Sequence, residues 1–149
     1  MRTIKFKAKT LEDGKWIVGD FVCVFREACI KPESKFDELL PIYSNTVCQF
    51  TGFLDKNGKE IYEGDILRSD EYPFSCMEDG VRDNYFGIIE WSDEEAMFLL
   101  TCVKNPKSAV RGISDGISDE ITQQKLKDCE LVGSIHDKEW QEKLNLKDE

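Results

Sequence analysis

The chain has 149 residues, enough for one domain or two small ones. At 40% hydrophobic and 11% aromatic it can bury a core without disulfides or metals, which excludes wholesale disorder. A net charge of −10 opposes non-specific binding to nucleic acid.

The charge is unevenly placed. Residues 60–100 hold two basic side chains, Arg68 and Arg82, against twelve acidic ones, so this segment alone carries −10 and the rest sums to zero. Such a middle suits a basic partner or a solvated face. The six cysteines, at 23, 29, 48, 76, 102 and 129, include no pair in CxxC spacing. No apolar signal segment follows Met1, so all six are expected to be reduced thiols of a cytoplasmic protein. Cys48 and Cys102 sit in apolar runs and should behave as small hydrophobes. No run approaches the ~20 apolar residues of a membrane-spanning helix.

In chain order, residues 3–9 alternate, with Ile4, Phe6 and Ala8 against Lys5, Lys7 and Lys9, and predict a strand. Its lysine face suits protection of a sheet edge, or contact with acid. Glu12-Asp13-Gly14 predicts a turn, Lys15–Val18 a return strand anchored by Trp16, Gly19-Asp20 a break, and Phe21–Phe25 a further strand. After Pro32, Ser34 is placed to cap a short helix ended by Pro41. Residues 46–50 then re-enter as a strand.

The densest turn chemistry follows, in the stretch Gln49–Leu67, QFTGFLDKNGKEIYEGDIL. Asp55-Lys56-Asn57-Gly58 and Glu63-Gly64-Asp65 predict two tight reversals between three short strands. An Asp side chain can accept a backbone N–H two residues on, and Gly tolerates positive φ. Residues 68–85, rich in turn formers and acid, predict a long loop or a protruding hairpin carrying Tyr72, Phe74 and Met77. Phe86–Trp91 and Ala96–Val103 predict a hairpin turned at Ser92–Glu95. The repeat GISDGISD at 112–119 is too short for a solenoid and reads as loop pinned by Ile113 and Ile117. Asp119 or Ser118 is placed to cap a helix over Glu120–Lys127. Glu130–Ile135 predicts the last strand, and Asp137 a closing helix with Trp140 and Leu144 on one face.

The Gln49–Leu67 stretch closely resembles the YopX-like family of bacteriophage and prophage proteins. Their core runs Gln-Tyr/Phe-Thr-Gly-Leu-x-Asp-Lys-Asn-Gly-Lys-Glu-Ile-Tyr-Glu-Gly-Asp-Ile. MRTIKFKAK, the segment WIVGDF at Trp16–Phe21 and ELVGSIH at Glu130–His136 are similar to that family's opening and close. Departures are Phe53 for Leu, Ser134-Ile135-His136 for Asn-Ile-Tyr, and the acidic segment after Arg68. The resemblance implies a mostly β fold and a phage origin, and brings no catalytic residues.

Little in the chain predicts chemistry. Gly112-Ile113-Ser114-Asp115-Gly116 fits G-x-S-x-G, but a second Gly-Ile-Ser-Asp follows where a helix is required. One histidine, His136, excludes multi-His metal sites. Glu60, Glu63 and Asp65 suit at most a weak Ca²⁺ or Mg²⁺ site, and EF-hand spacing is absent. No phosphate-binding glycine loop occurs. Trp91 and Phe98 default to core, while Tyr62 fits either core or surface.

The expected fold is mainly β: an N-terminal antiparallel sheet over 1–48, then over 49–149 a small SH3-like β-barrel with a short C-terminal helix. The expected role is that of a non-enzymatic phage or prophage accessory protein in the bacterial host cytoplasm. It would bind an unidentified host or phage protein through Asp55, Asn57, Tyr62, Glu63, Asp65, Tyr72 and Phe74, with no cofactor, metal or catalytic residue. Its oligomeric state is left open. The alternatives are a nucleic-acid-associated SH3-like module using the basic first strand, and a metal- or carboxylate-dependent enzyme.

Overall fold

In a computed structural model the described residues are 1–71, 83–107 and 116–146. They form a mainly β protein of antiparallel strands with two short helices, and the chain divides into two compact units, Met1–Gly52 and Phe53–Glu149.

The first unit contains β1 (Phe6–Lys9), β2 (Trp16–Val24), β3 (Glu27–Pro32), β4 (Leu40–Pro41) and most of β5 (Cys48–Leu54). Their order is β4-β3-β2-β1-β5. β1 is therefore flanked on both sides, and its lysines guard no edge. Instead Lys7 and Lys9 place their ammonium groups 4.7 and 5.2 Å from the centre of the Trp16 ring, a contact that lets the charge face water while the stem covers the indole. Ala8, Ile30 and Ile42 form the core of this unit, with Phe6, Ile17, Ala28 and Val47 packed around them.

Two expectations fail here for identifiable reasons. Gly19 does not break the strand; it lies within β2, opposite Pro32. A Cβ there would stand 1.9 Å from the Lys31 carbonyl oxygen, so the glycine serves a close backbone approach. The helix after Ser34 is absent, and the segment 33–39 is turn and coil. Phe36 and Leu39 are exposed, and a short helix without a buried face has nothing to offset its nucleation cost.

In the second unit β6 (Glu60–Tyr62) follows β5 in the strand order across the turn at Asp55–Gly58. A separate sheet contains β7 (Asp65–Ser69), β8 (Tyr85–Ser92), β9 (Met97–Val103), β10 (Ser118–Glu120) and β11 (Glu130–Ser134), in the order β10-β9-β8-β7-β11. Among the described residues the sheet is open between β10 and β11. Alternation sorts its side chains to two faces. Leu67, Tyr85, Ile89, Phe98, Leu100 and Cys102 point to a core shared with Ile61, Leu126 and Cys129. Ile66, Phe86 and Ile88 point the other way, onto Trp140 and Leu144.

The expected helix over 120–127 is shorter and capped differently. Ser118–Glu120 pairs with β9 as β10, and α1 (Gln123–Leu126) starts after Thr122, whose side chain accepts the Lys125 N–H. Asp119 instead pairs with the Lys125 ammonium at 2.6 Å. The closing helix α2 (Lys138–Lys143) follows Asp137 as expected, and Trp140 meets Phe86 edge-on at 5.7 Å. Its seat is Gly133, where a Cβ would lie 2.2 Å from the indole. A register shift between Leu131 and Gly133 bulges β11 at this point.

Gly133→Ala should therefore cost about 1–3 kcal/mol through overpacking. Urea denaturation checks this, with a red-shifted tryptophan emission as α2 is pushed off the sheet.

Candidate functional site

The two turns of the central stretch are built by carboxylates. Asp55 is 5% exposed, and its Oδ1 accepts the N–H groups of Asn57 and Lys59, both at 2.8 Å. Gly58 N donates to Asp55 O at 3.1 Å, and Asp55 N to Lys59 O at 2.8 Å. The second oxygen, Oδ2, reaches 76 residues along the chain and accepts the Leu131 N–H at 2.9 Å. One side chain thus closes a turn and fastens it to β11.

Neighbouring groups repeat the fastening. Lys56 N donates to Cys129 O at 2.9 Å, and Lys56 Nζ stands 3.5 Å from Glu130. The Gln123 amide exchanges two bonds with the Leu54 backbone, accepting from N at 3.1 Å and donating to O at 2.9 Å. Arg68 joins Glu130, Asp70 and the Asn84 side chain, so it ties the start of β11 to residues just after β7 and just before β8. Asp83 N donates to Asp70 O at 3.1 Å.

The second turn is held as firmly. Asp65 is fully buried, and its Oδ2 accepts the Tyr62 N–H at 2.8 Å. Gly58 and Gly64 both take φ 77°, the left-handed region that the turn signals require. Gly64 N donates to Ile89 O at 2.7 Å, and Ile135 N donates to Gly64 O at 2.9 Å, which seats the turn between the middle of β8 and the end of β11.

The residues singled out in the sequence therefore separate. Asp55, Tyr62 and Asp65 are buried, with the Tyr62 hydroxyl 2.8 Å from Glu60. Glu63 is half-buried and Asn57 exposed at the tip of its turn. Tyr72 and Phe74 lie outside the described residues, as does Ser114. Among the described residues no group of three His, Cys, Asp or Glu side chains is placed to hold a metal ion. No helix among them is long and apolar enough to cross a membrane.

The electrostatics follow from this geometry. Burial favours the neutral form of Asp55, but the N–H groups of Leu131, Lys59 and Asn57, helped by the Lys59 charge, outweigh it and hold the carboxyl below its usual value. Burial, reinforced by Asp128, pushes the Cys129 thiol up to about 11, so it stays protonated. The described cysteines 23, 29, 48, 102 and 129 are all free, and all but Cys23 are buried.

The model of a protein family described as YopX protein matches residues 5–139. The chain belongs to the YopX family. No curated protein matches it. Among solved structures, that of protein EF1440 from Enterococcus faecalis is similar at 18% identity and a TM-score of 0.49, covering 91% of this chain and 95% of that one. In this YopX protein the stretch that carries the resemblance is thus a structural clamp. The residues it clamps to, Gln123, Cys129, Glu130 and Leu131, carry no sequence signal of that role. Trp91 also escaped the sequence reading: it is half exposed at the β8–β9 tip, while its partner Phe98 is buried.

Asp55→Asn keeps the size of the side chain but turns an N–H toward one of three donors, and should cost about 2 kcal/mol at pH 7. Because the native pKa is lowered, this contribution is present above the unfolded value of ~4 and is lost as pH falls through the native one. Urea midpoints of the two proteins should differ at pH 7 and converge toward pH 2.

Proposed function

We propose that this YopX protein is a non-enzymatic binding module of a phage or prophage, acting in the bacterial cytoplasm on a basic host or phage protein. The observation that carries the reading is the split of charge. The first unit has eight Lys and Arg against seven Asp and Glu, a net of +1; the second has twelve against twenty-three, a net of −11. A partner matched to the second unit is basic, and complementary charge speeds encounter and suppresses wrong pairings. Nucleic acid would be repelled by the same surface.

The finer architecture we assign to the second unit is SH3-like. Along the sheet the strands run β11-β7-β8-β9-β10, which is fifth, first, second, third, fourth in chain order, with the single turn of α1 just before the last. Small SH3-like barrels share that order. The likeness is one of fold, and it supports a binding role without naming the ligand.

The contact surface includes the acidic segment 69–84, with Tyr72 and Phe74, and the outward residues of the two turns, Asn57 and Glu63. Asp55, Tyr62 and Asp65 hold those turns in position. The test is affinity capture from the infected host with the native protein and with a variant in which Asp70, Glu71, Glu78, Asp79 and Asp83 are made amides. A protein captured by the first and lost by the second is the expected result. Equal capture by both, or salt-sensitive retention of DNA or RNA in its place, would overturn the reading.

A further inference from the structure

The three tryptophans are treated differently by the rest of the chain. Trp16 carries Lys7 and Lys9, and Trp140 carries Lys143 with its Nζ 4.2 Å from the ring centre. Over Trp91, among the described residues, the chain places no ammonium or guanidinium of its own. Yet Trp91 stands beside an acidic turn: Asp93, Glu94 and Glu95 follow it within four residues and all three are exposed, while its strand neighbour Glu90 points to the other face of the sheet. None of these four carboxylates is in an ion pair among the described residues.

The ring is held in place. Trp91 pairs with Phe98 across the β8–β9 hairpin, and the two rings meet edge-on at 5.0 Å and 71°. Its Nε1 donates to Asp93 Oδ1 at 2.9 Å. The turn beneath it is defined too: Glu95 N donates to Ser92 Oγ at 3.2 Å, and Ala96 takes φ 53°. Despite these contacts Trp91 remains 42% exposed, and Met97, opposite Ser92, 39%. An indole fixed in orientation, open to water and next to a turn of three exposed carboxylates is a prepared seat for a cation, because the ring face and the carboxylates attract the same group.

We infer that the β8–β9 tip docks a lysine- or arginine-bearing segment of the partner protein, with one cationic head group over Trp91 and others against Glu94 and Glu95. The inference rests on the binding-module reading and names a particular surface and partner chemistry for it.

The test uses the full chain and a fluorescein-labelled ten-residue peptide of alternating arginine and serine, with the glutamate-serine peptide as its control. Anisotropy should show binding of the first peptide alone, weakening as salt rises. Trp91→Leu, which keeps an apolar contact for Phe98, should weaken it about fivefold. The surface variant Glu94→Gln/Glu95→Gln should weaken it and flatten its salt dependence without touching the core. Unchanged affinity in both variants overturns the inference, as does failure of the native chain to bind the arginine peptide. If affinity is lost instead on neutralising Asp70 and Glu71, the tip is not the seat, while the binding-module reading stands. If tip binding is confirmed but capture from the host yields no protein partner, it is the broader reading that falls.

Discussion

The fold of the second unit depends on what one carboxylate does with its two oxygens. Asp55 closes its own turn with Oδ1 and captures the Leu131 N–H with Oδ2, joining the hairpin β5–β6 to the last strand of the sheet. The bond is charge-assisted and partly buried, which makes it stronger than a neutral one and costly to break. Around it stand bonds of lesser individual weight, from Gln123 to Leu54 and from Lys56 to Cys129. Asp65 and Gly64 repeat the device at the next turn, against β8 and β11.

This arrangement explains why the most recognisable stretch of the chain is not its reactive part. Asp55 and Asp65 are turned inward, to backbone donors, and its glycines meet the backbone demands of tight reversals. What it produces is a fixed scaffold on which other segments are displayed. Arg68 shows the connection directly: one guanidinium reaches β11 through Glu130, and the residues just after β7 and just before β8 through Asp70 and Asn84. The same rigidity reaches toward the β8–β9 tip, because β8 is paired on both edges as far as Ile88 and with β9 on to its end at Ser92.

How much of this was legible in the sequence depended on distance along the chain. The turns at Asp55–Gly58 and Glu63–Asp65, and the α2 face of Trp140 and Leu144, are written within a few residues, so local chemistry predicts them. Asp55 was readable as a turn former but not as a partner of Leu131, since nothing local marks a bond across 76 residues. Gly19 looked like a break because the Lys31 carbonyl that requires it lies on another strand. The helix expected after Ser34 had a cap but no buried face, and β10 was hidden in a stretch that reads as loop. Trp91 shares the core parity of Ile89, but alternation cannot tell the middle of a strand from its end, where the ring emerges into solvent.

Amide hydrogen exchange in the native protein tests the clamp most directly. If Asp55 joins the two ends of the second unit, the N–H groups of Asn57, Lys59 and Leu131 open only with the sheet, at the same free energy as those of Ile66 and Ile88. Exchange of Leu131 at a much lower free energy, with the sheet still closed, would contradict the account.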